Sequence, residues 1–253
     1  MRWTRRPGPA APLRSSPRRA VRRVDGEPAH GGWLWTEVRR RAERWRAVHH
    51  PFLQRWRAGE LSWVELQAYA SEHHHAVVAL ASASRHAAQL ADGPLADSLW
   101  RRAADDAREI ELWCDFAAAT GWCEASSWYF AQDPLPSTTA CSQACSGGMG
   151  RSLGEHLMIL YALDSTQRDA VSLQLDAHGS YQLCDRRAVQ YFRRRTERAG
   201  AGAAQAKAAL AAAAPANDEL ALLRCAETTY RSYWELLDGV QALSREPMAA
   251  LAS

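Results

Sequence analysis

From Trp33 onward the apolar side chains recur with a helical period, and no stretch shows a convincing two-residue alternation. Residues 34 to 48 form one amphipathic segment, which Pro51 breaks ahead of "FLQRWRAGEL". Ser62 and Glu65 make an S-x-x-E pair, in which each side chain satisfies a terminal N–H of the other residue, and they open a helix to about Leu90. Asp92-Gly93-Pro94 closes it and starts a second long helix, about 95 to 120, that stops at Gly121, a residue suited to left-handed backbone. A loop-rich stretch with room for two short helices follows. Helices then run over about 151 to 177, 186 to 213 and 218 to 244, the last capped by Asn217 or Asp218 after Pro215. About seven helices with short connections predict an all-α bundle, one domain over residues 33–253 behind a tail at 1–32.

Three of these helices place polar residues where the pattern calls for apolar ones. In the 62 to 90 helix the stripe reads Leu66, Tyr69, His73, Val77, Leu80, and beside it run Ala68, Glu72, His75, Ala79. Glu72 and His75 are three apart and share a face, which suits one module of a carboxylate-bridged metal site and equally a solvated face. In the 151 to 177 helix, Asp164 falls inside the stripe of Leu157, Leu160, Tyr161 and Val171. A buried carboxylate needs a partner, either an arginine or a metal. The 186 to 213 helix carries Phe192, Arg195, Ala199, Gly202, Ala206 and Leu210 on its inner face. Gly200 and Gly202 each cost a helix interior about 1 kcal/mol relative to alanine. Tyr69, His73, Tyr161 and Phe192 are the side chains expected to line an interior pocket. His156 and His178 are single histidines of the kind that is hydrogen-bonded in a core or lies at a surface, and His86, at a helix end, reads as surface.

Charge changes the picture mainly at the N-terminus. The formal net charge is +3, but the first 23 residues carry eight arginines and no acid, which leaves 23 basic against 28 acidic residues in the rest. The Pro-, Ala-, Ser- and Arg-rich tail reads as disordered and has no apolar run of the signal-peptide kind. Lys207 is the only lysine, so arginine richness reflects coding bias more than a nucleic-acid surface. No nucleic-acid or membrane partner is expected, since no apolar run is long enough to span a bilayer. The six cysteines, 114, 123, 141, 145, 184 and 225, lack paired metal-knuckle spacing and suit a reducing cytoplasm.

The blocks "HPFLQRWRAGELSWVELQAYASEHHHAVVAL", "IELWCDFAAATGW", "LYALDSTQ", "AVQYFRRRTERAGAGAAQAKAAL" and "YWELLDGV" stand in the order and spacing of a known superfamily. The chain resembles the haem-oxygenase-like proteins, among them thiaminase II (TenA), the quinone synthase PqqC and the haem-oxygenase-like di-iron oxidases, and it looks most like the di-iron branch, the iron-containing redox enzymes. The resemblance covers nearly everything after residue 33 and implies a haem-oxygenase-like bundle. It also implies a ligand set. A YA-E-x-x-H motif falls on Glu72 and His75, the acid of a YA-I-E-like motif falls on Asp164, and a YF-x-x-H-x-x-x-D-x-x-H pattern falls on Arg195, Ala199 and Gly202. The last three positions have lost their ligands. Downstream of Asp164 the family's Gln-Pro is replaced by Gln167 and Arg168.

Two ferrous ions require about six nitrogen and oxygen ligands. With Glu72, His75 and Asp164 left, the resemblance implies an oxidase of small-molecule biosynthesis whose activity is lost or altered, with iron either mononuclear or absent and no haem. The alternative is a metal-free pseudoenzyme that binds a small ligand, or pairs as a homodimer or with an active relative, Arg195 standing in for the metal charge. A cofactor-independent oxidase of the PqqC kind is a third reading. Thiaminase chemistry fits least, because neither Cys141 nor Cys145 lies in a matching block.

Overall fold

A computed structural model describes residues 32–121, 133–148, 150–183, 185–213 and 219–243. Residues 1–31 of the expected tail, Trp122, Cys123, Cys184 and the caps at Asn217 and Asp218 lie outside the described residues, while Gly32 already belongs to the first helix. Eight α-helices and two short 3₁₀ turns make up the regular structure within them: α1 (Gly32–Arg44), α2 (Pro51–Arg57), α3 (Trp63–Leu90), α4 (Gly93–Ala119), α5 (Pro136–Ser146), α6 (Leu153–Asp176), α7 (Gln190–Ala213) and α8 (Glu219–Leu243). The all-α class read from the hydrophobic period is the class observed.

Helix starts follow local chemistry. Ser62 Oγ accepts from the Glu65 amide at 3.2 Å while Glu65 accepts from the Ser62 amide at 2.8 Å, the reciprocal cap expected for α3. The same device opens α6 through Ser152 and Glu155, at 3.2 and 2.9 Å. Gly121 closes α4 at φ 86°, backbone that only glycine adopts without strain.

Three boundaries differ from the sequence reading. The amphipathic segment 34 to 48 is not one helix: α1 ends at Arg44, Arg46 turns extended, and a 3₁₀ turn spans Ala47–His49. Its apolar spacing continues because the turn still packs on the core, where Ala47 is buried. α7 begins at Gln190, after a run of turns over 186–189. Between α4 and α6 the described residues hold one short helix, α5.

α3 and α6 organise the bundle. α3 packs on α4, α5 and α6, while α6 packs on α7 and α8, and α1 lies against α8. Between them sits an aromatic core: Trp113 meets Tyr191 edge-on at 4.7 Å, and Phe116 meets Phe192 at 4.9 Å. Rings so placed bury large apolar areas and add edge-to-face attraction. Trp113 also donates its indole N–H to the Ala70 carbonyl at 2.7 Å, so this large ring leaves no polar atom unpaired. Among the described residues no helix is long and apolar enough to cross a membrane.

Candidate functional site

The α7 stripe lands as its period requires: Phe192, Arg195, Ala199, Ala206 and Leu210 are all buried, with Arg195 only 1% exposed. A guanidinium in that position must find acceptors, and it does. Its Nη2 donates to Asp164 Oδ1 at 2.6 Å, its Nε to Gln167 Oε1 at 2.7 Å, and its Nη1 to Glu109 Oε2 at 3.4 Å. The other oxygen of Asp164 pairs with Arg102 Nη1 at 2.8 Å. Arg102 also donates its Nε to Ser84 Oγ at 3.1 Å, and Ser84 in turn donates to Asp106 Oδ2 at 2.6 Å. Arg198 closes the set on Glu109 Oε1 and on Asp106 Oδ1, the latter at 3.2 Å.

Three arginines therefore meet three acids, Asp106 and Glu109 from α4 and Asp164 from α6. Burial works against the charge on Arg195, yet the field of Asp164, Glu109 and Asp106 outweighs it and raises its pKa. Burial and the neighbouring Asp106 push the Glu109 carboxyl up, against the opposing pull of Arg195 and Arg198. The pairing leaves one gap: Arg102 Nη2 is buried without a partner.

Gly202 has a geometric reason. A Cβ added there would stand 2.1 Å from Asp164 Oδ2 and 3.0 Å from Arg102 Nη1. The backbone of α7 passes too close to the ion pair for any side chain. Outside the pair, α4 and α7 separate into a cleft of about 580 Å³ with Asp164 at its floor and Gly202 on its wall.

The sequence-predicted metal residues are not assembled. Glu72 turns toward the start of α5, where it accepts from the Leu135 amide at 3.2 Å, and His75 stays half-buried beside His74. Asp164 faces α4 and α7 instead. Among the described residues no group of three or more histidine, cysteine, aspartate or glutamate side chains is placed to hold a metal ion. Of the side chains expected at a pocket, Tyr69, His73 and Phe192 are buried in the core, and Tyr161 is half-buried against Trp35 at 4.8 Å. His73 stacks on Tyr69 at 5.0 Å, and burial followed by the Arg195 charge lowers its pKa to about 3. His86 is partly buried, with Nδ1 on the Ser146 carbonyl at 3.2 Å.

Asp106, Glu109 and Arg102 were missed by the sequence reading. Their signal was there: Leu99, Arg102, Asp106, Glu109, Trp113 and Phe116 step along one face of α4 at three- and four-residue intervals.

Residues 39–212 match the profile of the TENA/THI-4/PQQC family. The chain belongs to this family. Solved structures agree on the fold. A TenA homologue from Pseudomonas syringae pv. tomato superposes with a TM-score of 0.72 at 14% identity, covering 83% of this chain and 93% of its own. A domain with a heme oxygenase-like fold from Shewanella denitrificans gives 0.67 at 14%, over 84% and 93%. A TenA family transcription regulator from Silicibacter gives 0.61 at 17%, over 83% and 95%. At such identities the likeness establishes a haem-oxygenase-like bundle, as the resemblance implied. No curated protein sequence matches the chain.

In this TENA/THI-4/PQQC member the donor set does not suit a di-iron centre. Both oxygens of Asp164 are committed to guanidinium groups, position 195 supplies a cation, and position 202 admits no side chain. Two divalent ions require ligand oxygens and nitrogens that are free to coordinate.

Proposed function

We propose that this family member works without iron, as a ligand-binding protein or partner subunit in which a buried guanidinium cluster supplies the positive charge of a metal site. The observation that carries the reading is the double engagement of Asp164, by Arg195 at 2.6 Å and Arg102 at 2.8 Å. A guanidinium fork matches carboxylate geometry and keeps its charge at every accessible pH. Iron at Glu72, His75 and Asp164 would have to draw Asp164 away from both arginines and take Glu72 from the Leu135 amide. Oxidase chemistry at that triad therefore lacks support in the geometry.

A thiaminase-type reading, which the names of the TenA neighbours raise, also lacks support. Cys141 and Cys145 are fully buried with their sulfurs 3.8 Å apart, and the contact with Cys141 together with burial holds the Cys145 thiol well above its usual pKa. A nucleophilic cysteine needs the opposite shift.

The test is an anaerobic Fe(II) titration of the full chain followed by metal analysis after desalting. The expected content is well below one iron per chain. One or two tightly retained irons would overturn the reading. Restoring the family pattern at 202 with histidine is not a simple rescue, since that side chain must first displace Asp164.

A further inference from the structure

α5 packs on α3 and α8 and buries one face, Thr138, Cys141, Ala144 and Cys145. Cys141 and Cys145 are both 0% exposed, and their sulfurs lie 3.8 Å apart. The helix keeps the two from joining. Residues four apart hold their Cβ atoms about 5–6 Å from each other, whereas a disulfide needs about 3.5–4.5 Å. An ion between the sulfurs meets no such limit. At the observed separation both can reach one ion at a metal–sulfur length of about 2.3 Å, and opening the gap to about 4.6 Å makes the three atoms linear. Two hydroxyls accompany the pair: Ser232 of α8 hydrogen-bonds Cys145, and Thr138, one turn ahead of Cys141 on the same face, has a buried Oγ1 with no partner. Cys225 is engaged elsewhere, since its sulfur accepts from Arg151 Nη1 at 3.2 Å and donates to the Glu155 carbonyl at 3.5 Å.

We propose that Cys141 and Cys145 clasp one soft monovalent metal ion, the class to which Cu(I) belongs. Sulfur ligands select such ions over harder ones. Zinc, the other common thiolate metal, takes four protein ligands in a structural site, and among the described residues no third histidine, cysteine, aspartate or glutamate joins the two sulfurs. A Cu(I) ion that displaces one thiol proton to solvent leaves the ion and its two ligands neutral, as an apolar interior requires. Neither sulfur belongs to the arginine cluster, so the proposal goes beyond the iron-free reading and does not depend on it.

The experiment titrates the reduced, EDTA-treated full chain anaerobically with Cu(I) held by bicinchoninate, a coloured chelator that competes for the ion. The parent should withdraw one Cu(I) per chain. Cys141→Ala and Cys145→Ala should each lose that uptake, and Cys225→Ala should keep it. X-ray absorption at the copper edge of the loaded parent keeps the test independent of any variant that fails to fold, and it should show sulfur bound to copper and no histidine nitrogen. Copper left with the chelator, full uptake in Cys141→Ala or Cys145→Ala, loss of uptake in a folded Cys225→Ala, or nitrogen bound to the copper would each overturn the proposal. Iron retained in the separate Fe(II) titration defeats the iron-free reading and leaves the copper result to decide this one.

Discussion

The charge cluster of α4, α6 and α7 and the aromatic box of α3, α4 and α8 are neighbours that solve the burial of polar groups in opposite ways. In the cluster, charge is kept and paired: Arg195 stays cationic because Asp164, Glu109 and Asp106 surround it. In the box, charge is expelled. Burial pushes Tyr69 up to about 12 and lowers His73 to about 3, and the phenol oxygens of Tyr69 and Tyr233 lie 3.2 Å apart. The Arg195 charge is itself one of the causes that keep His73 neutral. A cation fixed at 195 thus adds to the burial that keeps His73 neutral.

The largest effect that tests this difference is Arg195→Met. It removes a partner shared by three acids, each of which keeps at least one other arginine, and breaking buried ion pairs of this kind lowers stability by up to about 3–5 kcal/mol. Urea unfolding followed by circular dichroism should show that loss as a lower midpoint. If the variant matches the parent, the cluster is not held by pairing and the contrast with the aromatic box is false.

Next in size is a pair of glycine substitutions on adjacent faces of α7. Gly202→Ala drives a methyl onto the Asp164 carboxylate, which two arginines hold in place, and overpacking of that kind lowers stability by about 1–3 kcal/mol. Gly200→Ala meets only the Arg168 side chain, at 3.6 Å or more, an ordinary contact, and gains about 0.5–1 kcal/mol of helix propensity. Opposite signs from two alanines two residues apart would show that the close approach at 202, and not helix weakness, requires glycine. Equal gains from both would remove the geometric reason given for Gly202.

How far the sequence discloses this interior depends on which helix is read. α7 was legible because its period forces Arg195 inward between Phe192 and Ala199, and an inward arginine demands acids. Asp164 was legible as a buried carboxylate in need of a partner, with arginine or metal left open. α4 was not, since "WRRAADDAREIELW" is so rich in charge that its inner face resembles a solvated one. The pairing of Glu72 and His75 with Asp164 failed for a different reason. The period of α3 places Glu72 inward correctly, but it does not say which helix it will face, and the structure turns it to α5. Helix faces can be read from one segment, while the partner of a face depends on the whole bundle.

The smallest effect at neutral pH belongs to His73→Phe. Its ring already stacks on Tyr69, its Nδ1 has no hydrogen-bond partner, and a similarly sized apolar ring should hold stability at pH 8 within about 1 kcal/mol of the parent. The difference emerges on acidification. Between the ordinary value of 6.5 and the folded value of about 3, the unfolded chain takes up a proton at His73 that the folded chain refuses. Stability therefore falls as pH drops below 6.5, by up to about 1.4 kcal/mol per pH unit from this group, and His73 contributes nothing to the slope above it. Urea midpoints of parent and His73→Phe at pH 8, 6 and 5 should diverge in favour of the variant, against a background slope from His156, which burial lowers to about 4. Parallel slopes would mean that His73 carries a proton in the folded state beside Arg195, and that the box, like the cluster, keeps its charge.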